Sequence, residues 1–599
     1  MRRIPFLPLC CAFLLLSSGL SARKKPKAPQ PPPVPQMSAD QKILHVLNRL
    51  TFGAREADVE AVKQQGLDHW IETQLHPETI PENPVLEARL APLDTLRMST
   101  AEMLRKYPSQ QMMKAMRDGR MDLPEDPGVR AAVRIAIARF DEKKTDAANV
   151  PAVVPAVMPL QGSPAERLQA LQAMPPEQMF AALEAMPPGA RGRLASLASP
   201  ELRRKIQVLN GPAQIPNRDL VEGKLLRAVY SNRQTEEVLT DFWYNHFNVY
   251  LDKGADRSLV TSYERDVIRP HVLGRFKDLL LATAQSPAMM FYLDNWQSTG
   301  PDARPNPNQK ARRGLNENYG RELMELHTLG VDGGYTQQDV TEVARCFTGW
   351  TIRQPQMGGD FFFNPRMHDT GEKHVLGVTI PAGGGMDDGL KVLDLLAHHP
   401  ATAQFIARSL AIRFVSDDPP QTLVTKMANT FTSTEGDLRE VMRTMLAAPE
   451  FWAPAAFRAK VKSPLEMVVS AVRAVNGEVE MATSIAGLMN QLGEPLYRKQ
   501  EPTGYSNRGG DWMNSASLLA RMNFALALAQ AKVPGVKVDA ARFARDPRQI
   551  EKSLLLTEPS PEALASIQAG LGEQKDPKPE KTGPLVAGLT LGSPDFQRR

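Results

Sequence analysis

Asn318, Glu322 and Glu325 recur at spacings of four and three in LNENYGRELMELHTLG (315–330). On an α-helix that spacing puts the amide and both carboxylates on one stripe, beside the apolar stripe of Tyr319, Leu323 and Leu326. Two carboxylates at the edge of a core can hold a cation or divide acid and base roles between them. Arg321 stands four residues from both Glu317 and Glu325, which is also the spacing of an ordinary surface salt-bridge ladder. His327 lies about 140° round a regular helix from Glu322, so the two cannot share an ion there. Gly330 ends this helix, and a histidine in its last turn favours the negative terminus.

Further donors come from distant segments. His246 sits in FWYNHFNVY (242–250), an aromatic setting where an imidazole must be hydrogen-bonded or ligating, and His368-Asp369 opens the glycine-flanked HDTGEKHVLG (368–377). If the fold joins them, His246, Glu322, His368 and Asp369 form a nitrogen and oxygen shell suited to a divalent metal such as zinc, manganese or iron. The other reading of each histidine is a local hydrogen bond in core or loop. Neither Glu-x-x-His nor His-Glu-x-x-His spacing occurs in these helices. GYSNRGGDWMN (504–514) has the composition of a polar or sugar-binding lid, in which Tyr505, Arg508 and Trp512 join Asn318 and Arg321 as candidate substrate contacts. The alternative is a turn that packs Trp512 on the core. Phosphate-cradling glycine loops and the Gly-x-Ser-x-Gly elbow are missing from the sequence.

The elements that must position these groups are helical almost throughout. Ser38 opens a first helix, Asp58 to Gln65 gives a second and Leu67 to Leu75 a third, with Gly53 and Gly66 as breaks. Ser463-Pro464-Leu465-Glu466 is a capping box before MVVSAVRAV; Thr336 with Asp339, and His399 before Pro400, open two more helices. Strand signals are confined to Phe361–Phe363 and Val375–Ile380, which predict a small β-hairpin around His368. The fold class expected is all-α, a multi-helix body with at most that hairpin near 361–380.

Residues 97–216 interrupt this body. SPAERLQALQAM, PPEQMFAALEAM, PPGARGRLASLA and SPELRRKIQVLN (163–210) are four blocks of 12 with proline second in each, predicting four short helices begun at proline. The preceding NVPAVVPAVMPLQG (149–162) reads as a linker. The organisation expected is a 1–22 signal peptide, a 23–37 basic and proline-rich spacer, a 38–96 helical part, the 97–216 insertion and a 217–599 main body.

Arg2 and Arg3 before the apolar run Ile4–Leu16, followed by SSGLSA, have the order of a secretory signal with cleavage near Ser21 or Ala22. Cleavage there removes Cys10 and Cys11 and leaves Cys346, which reads as a buried inert thiol. The run is shorter than a spanning helix needs, so no transmembrane helix is expected in the mature chain. Charges are dispersed, with 72 Lys plus Arg against 67 Asp plus Glu, and aromatics are 6%, which argues against nucleic acid as a partner.

Several long strings carry a resemblance: LNRLTFGAREADVEAVKQQGLDHWIETQL (47–75), FWYNHFNVY, YERDVIRPHVLGRFKDLLLATAQSPAMMFYLDN (263–295), the 315–350 stretch, HDTGEKHVLG, HHPATAQFIARSLAIRFVSDDPP (398–420) and LGSPDFQRR (591–599). In these the chain resembles the bacterial domain-of-unknown-function 1800 family. The resemblance implies a large, mainly helical, often exported protein and brings no catalytic residues with it. Two functions are consistent with the residues. One is an exported, periplasmic or extracellular scaffold in envelope assembly or export, with an envelope protein or polysaccharide partner. The other is an exported, metal-dependent or metal-free hydrolase of an envelope or extracellular polymer, acting through Glu322, Glu325, His246, His368 and Asp369.

Overall fold

In the computed structural model, residues 36–142, 160–301, 314–572 and 579–599 are described. The leader and most of the spacer expected at 1–37, and most of the linker expected at 149–162, lie outside the described residues. The Met37–Arg599 unit is predominantly α-helical, and its strands, among the described residues, are three two-stranded antiparallel ladders. No described helix is long and apolar enough to cross a membrane.

The helix Pro464–Ala474 is the centre of the body. Its run MVVSAVRAV is apolar all round, so no face is left for water, and every residue from Pro464 to Arg473 is buried. Ser463 accepts the Glu466 backbone N–H while the Glu466 carboxylate accepts the Ser463 N–H, the capping box expected from sequence. Arg473, inside this apolar helix, donates to Gly53 O (2.9 Å), Val229 O (2.7 Å) and Asp58 (2.9 Å), joining three separate parts of the chain. Gly53 is required where it stands: its φ is +112°, and a Cβ would lie 2.4 Å from that of Ser470.

The first three helices run Ala39–Leu50, Glu56–Gln65 and Leu67–Leu75, close to their expected spans. Thr336 and His399 cap the helices Gln337–Cys346 and Pro400–Phe414 as their sequences predict. Two expectations are corrected. Phe361–Phe363 pairs with Trp350–Ile352 rather than with 375–380, and Lys373–Val375 pairs with Val378–Ile380. The single hairpin is therefore two, with His368 between them; Trp350–Ile352 is itself fully buried and supplies the partner that periodicity hid. The helix from Asn318 is regular only to Glu322, and Leu323–Thr328 is a π-helix. With i→i+5 bonding the 100° step fails, so the angular argument that separated Glu322 from His327 does not hold.

Each 12-residue block of 163–210 contains one short helix beginning at its second residue: Pro164–Ala173, Pro176–Glu184, Pro188–Leu197 and Pro200–Asn210. Their apolar residues, among them Leu171, Phe180 and Leu202, form a hydrophobic cluster with Ala131 and Ile135, separate from the main core. Residues 97–216 meet the rest of the unit through Arg204 to Asp219 (2.7 Å), Arg203 to Glu480 O (2.7 Å), Arg265 to Met98 O (2.7 Å) and Thr100 to Ser262 (3.1 Å), and the helix Ile215–Tyr230 runs on from them.

Candidate functional site

The expected metal shell does not assemble. Among the described residues no three His, Cys, Asp or Glu side chains are placed to hold a metal ion. His246, Glu322, His368 and Asp369 are instead held in separate settings. His246 closes the helix Gln234–His246, and its Nε2–H donates to His327 O across 3.1 Å. Burial lowers His246 to about 4 and His327, whose Nε2 is buried without a hydrogen-bond partner, to about 3. Both rings are neutral members of an aromatic layer with Phe247. Their cost of charging follows from that layer, since an imidazolium there loses its hydration.

His368 is bound on both sides, by Thr348 O at Nδ1 (2.8 Å) and by Asp388 Oδ2 at Nε2 (3.1 Å). Lys373 Nζ reaches the same Asp388 oxygen at 2.6 Å, and the Lys373 and Asp388 side chains are fully buried. Asp369 accepts from Arg345 Nε (2.7 Å) and Gly371 N (2.9 Å), and despite burial Arg345 holds its carboxyl below the usual range. Cys346 lies near this network as a buried thiol pushed up to about 12, in keeping with an inert role.

Glu322 is half-buried, and burial with Glu325 beside it raises its carboxyl; Glu325 accepts from Tyr335 OH at 3.3 Å. Asn318 is exposed, and Arg321 binds Gln337 (3.0 Å) and Glu317 (3.5 Å), the salt-bridge half of the sequence reading. Arg508 is exposed and donates to Asp417 O (3.0 Å).

A different place gathers polar groups around a small cavity of about 50 Å³. One wall is the 504–514 loop, from which Tyr505 and Trp512, both expected as substrate contacts, line the opening together with Ser506 and Asn507. The loop is locked to the helix Gln234–His246: Asn245 Nδ2 donates to Tyr505 O (2.7 Å) and Tyr505 N donates back to Asn245 Oδ1 (2.6 Å). Gly504 allows this close approach, with φ +69° and a Cβ position only 2.2 Å from Asn245 O. The rings of Tyr505 and Trp512 lie 5.9 Å apart, and Trp512 Nε1 donates to Ser506 O (3.0 Å).

The inner wall carries charge. Lys224 pairs with Asp241 at 2.8 Å. Arg413 and Arg599 both bind Glu466, the latter at 2.9 Å. Burial alone would raise Glu466, but these two guanidinium groups hold it at about 2. Glu494 accepts the Leu465 N–H (2.7 Å) at the start of the Pro464–Ala474 helix and is also hydrogen-bonded by the Ser463 side chain, yet burial, with Asp241 and Glu466 nearby, pushes it up to about 8. The wall thus sets a carboxyl raised by burial beside ion-paired ones, the kind of separation that acid and base work uses.

Sequence reasoning missed Lys224, Asp241, Arg413, Glu466, Glu494 and Arg599. The only signal was a set of charges inside apolar helical runs, Glu466 and Arg413 most clearly, and such charges read equally as caps and surface pairs until the helices are packed.

No curated protein matches the chain, and no solved structure does. A family model described as a protein of unknown function, DUF1800, does match, over residues 45–598, and the chain belongs to that family.

Proposed function

We propose that the chain is an exported hydrolase acting on a saccharide unit of an envelope or extracellular polymer at this cavity, with Glu494 as general acid and Asp241, paired with Lys224, as the second carboxyl. The observation that carries the reading is the pair itself: Glu494 buried at the cavity wall, where burial pushes its carboxyl up to about 8, and Asp241 held by Lys224 at 2.8 Å. Tyr505 and Trp512 give the opening an aromatic surface for a sugar ring, and Asn507 offers an amide contact to a hydroxyl. The reaction is written without a metal, because the groups that would take its acid and base roles are the two carboxyls. Arg2, Arg3 and the Ile4–Leu16 run support export.

The test is release of reducing ends from a panel of envelope and extracellular polysaccharides by the purified mature chain, its Glu494→Gln variant and its Asp241→Asn variant. Turnover by the parent, lost at least a hundredfold in Glu494→Gln with the fold intact, is expected. Turnover unchanged in both variants sinks the assignment. An envelope-assembly scaffold is the second reading, favoured by one observation: His246, His368 and Asp369 each have local partners, as packing elements do. That reading predicts no turnover by the parent on any polymer and capture of a polysaccharide through the same cavity.

A further inference from the structure

Glu466 is one carboxylate shared by two buried guanidinium groups. Arg413 and Arg599 bind it directly, and Arg49 and Lys462 lie within its field. Asp417, the next carboxylate, is already engaged by Lys460 and by the Gly509 N–H (2.9 Å). The excess shows in hydrogen bonding as well as in charge. Arg599, only 4% exposed and lining the cavity, has an Nε–H with no partner, and Arg49, fully buried, has both Nε and Nη1 unpartnered. Buried guanidinium donors left unpaired are costly, and a fold retains them where something else completes them.

Resting on the hydrolase reading for its site, we propose that the cavity receives an oxyanion, so that the polymer acted on is acidic, carrying carboxylate, sulfate or phosphate on its sugar units. An oxyanion is the complement of this wall in both charge and geometry. It accepts from a guanidinium edge and offsets the cation excess, which a neutral hydroxyl cannot. Within the cavity Asp241 pairs with Lys224 at 2.8 Å and lies 4.0 Å from Arg413, so the guanidinium donor left open to an anion is the unpartnered Nε–H of Arg599. Tyr505 and Trp512 then stack on the ring that bears the anion, with the anion directed inward.

The experiment is thermal stabilisation and calorimetric binding of the mature chain with D-glucuronate, sodium sulfate, inorganic phosphate and D-glucose, each against sodium chloride at equal ionic strength. Saturable binding of at least one oxyanion, with D-glucose at least tenfold weaker, is expected; the arm that binds tells carboxylate from tetrahedral oxyanion. Arg599→Gln should weaken it by roughly tenfold to a hundredfold, as for the loss of a charge-assisted bond, with Arg599→Lys retaining part of it. If Arg599→Gln does not fold, the parent titration alone decides. Absence of any oxyanion effect beyond chloride, or equal binding of D-glucose and D-glucuronate, overturns the proposal. Glu494→Gln separates the two readings. Oxyanion binding kept in that variant, with no turnover in the parent, overturns the hydrolase and leaves the anion site; turnover of a neutral polymer without oxyanion binding does the reverse.

Discussion

Lys373→Met and Asp388→Leu test whether the His368 network is a packing device. Lys373 and Asp388 are both fully buried at 2.6 Å, and Asp388 Oδ2 also faces His368 Nε2 at 3.1 Å. Asp388→Leu strands a buried ammonium, at about 3–5 kcal/mol, and orphans the His368 nitrogen for about 1–3 kcal/mol more. Lys373→Met leaves Asp388 with His368 alone and should cost about 3–5 kcal/mol. The double variant removes both charges together, leaving chiefly the orphaned ring nitrogen and the Asp369 carbonyl that Lys373 also held. It should be less destabilised than Asp388→Leu alone, with a coupling of about 3–5 kcal/mol. A chain of 599 residues does not unfold in one step, so the fitting assay is local: amide hydrogen exchange in the Lys373–Val375 and Val378–Ile380 hairpin. Additive single costs would refute the reasoning. They would mean that the pair is open to water and that His368 and Asp369 regain a claim on solvent chemistry.

Three other outcomes follow from the same coordinates. Gly504→Ala, forced against Asn245 O at 2.2 Å and at φ +69°, should detach the 504–514 loop and abolish cavity binding while the body stays folded, as read by calorimetry and by exchange in the loop. His327 is neutral in the fold at about 3, so the stability it contributes is complete above its unfolded value near 6.5 and is lost as pH falls through that window. The difference in stability between the parent and His327→Leu should therefore shift by about 2 kcal/mol in favour of the variant between pH 8 and pH 5, and an unchanged difference would count against a buried neutral ring. Ser463→Ala removes the cap of the central helix and should cost about 1 kcal/mol in exchange of its first-turn amides.

The parts of the fold that were legible in the sequence are those fixed by neighbours along the chain. Ser38, Thr336, His399 and Ser463 announce their helices because a cap acts within three residues, and proline marks each short helix of 163–210 because its ring presets the first turn. The site was half legible. The loop around Tyr505 and Trp512 was found through glycine and polar composition, whereas Glu494 and Asp241 carry no local mark. What distinguishes them is that segments far apart in sequence bring both to one cavity wall, and periodicity does not encode that. The π-helix at Leu323–Thr328 was illegible for a different reason: Thr328 Oγ1 caps Leu323 O at 2.7 Å, a five-residue bond that competes with the regular one and changes which side chains share a face.

The distant strings that resemble the family acquire a common physical role once the central helix is in place. Gly53 and Asp58 from the first string meet Arg473, and the backbone of Arg599 from the last pairs in both directions with Lys460, just before Ser463. Arg413, from the 398–420 string, receives the Arg599 side chain on its carbonyl and binds Glu466 inside the same helix. A fully buried helix satisfies its charged residues only if other segments reach it with matching groups, so the distant strings are tied together by the polar needs of one apolar element. Residues 163–210 do not take part in this: their apolar side chains cluster with Ala131 and Ile135, and Arg203 and Arg204 reach Glu480 O and Asp219 rather than the Pro464–Ala474 helix.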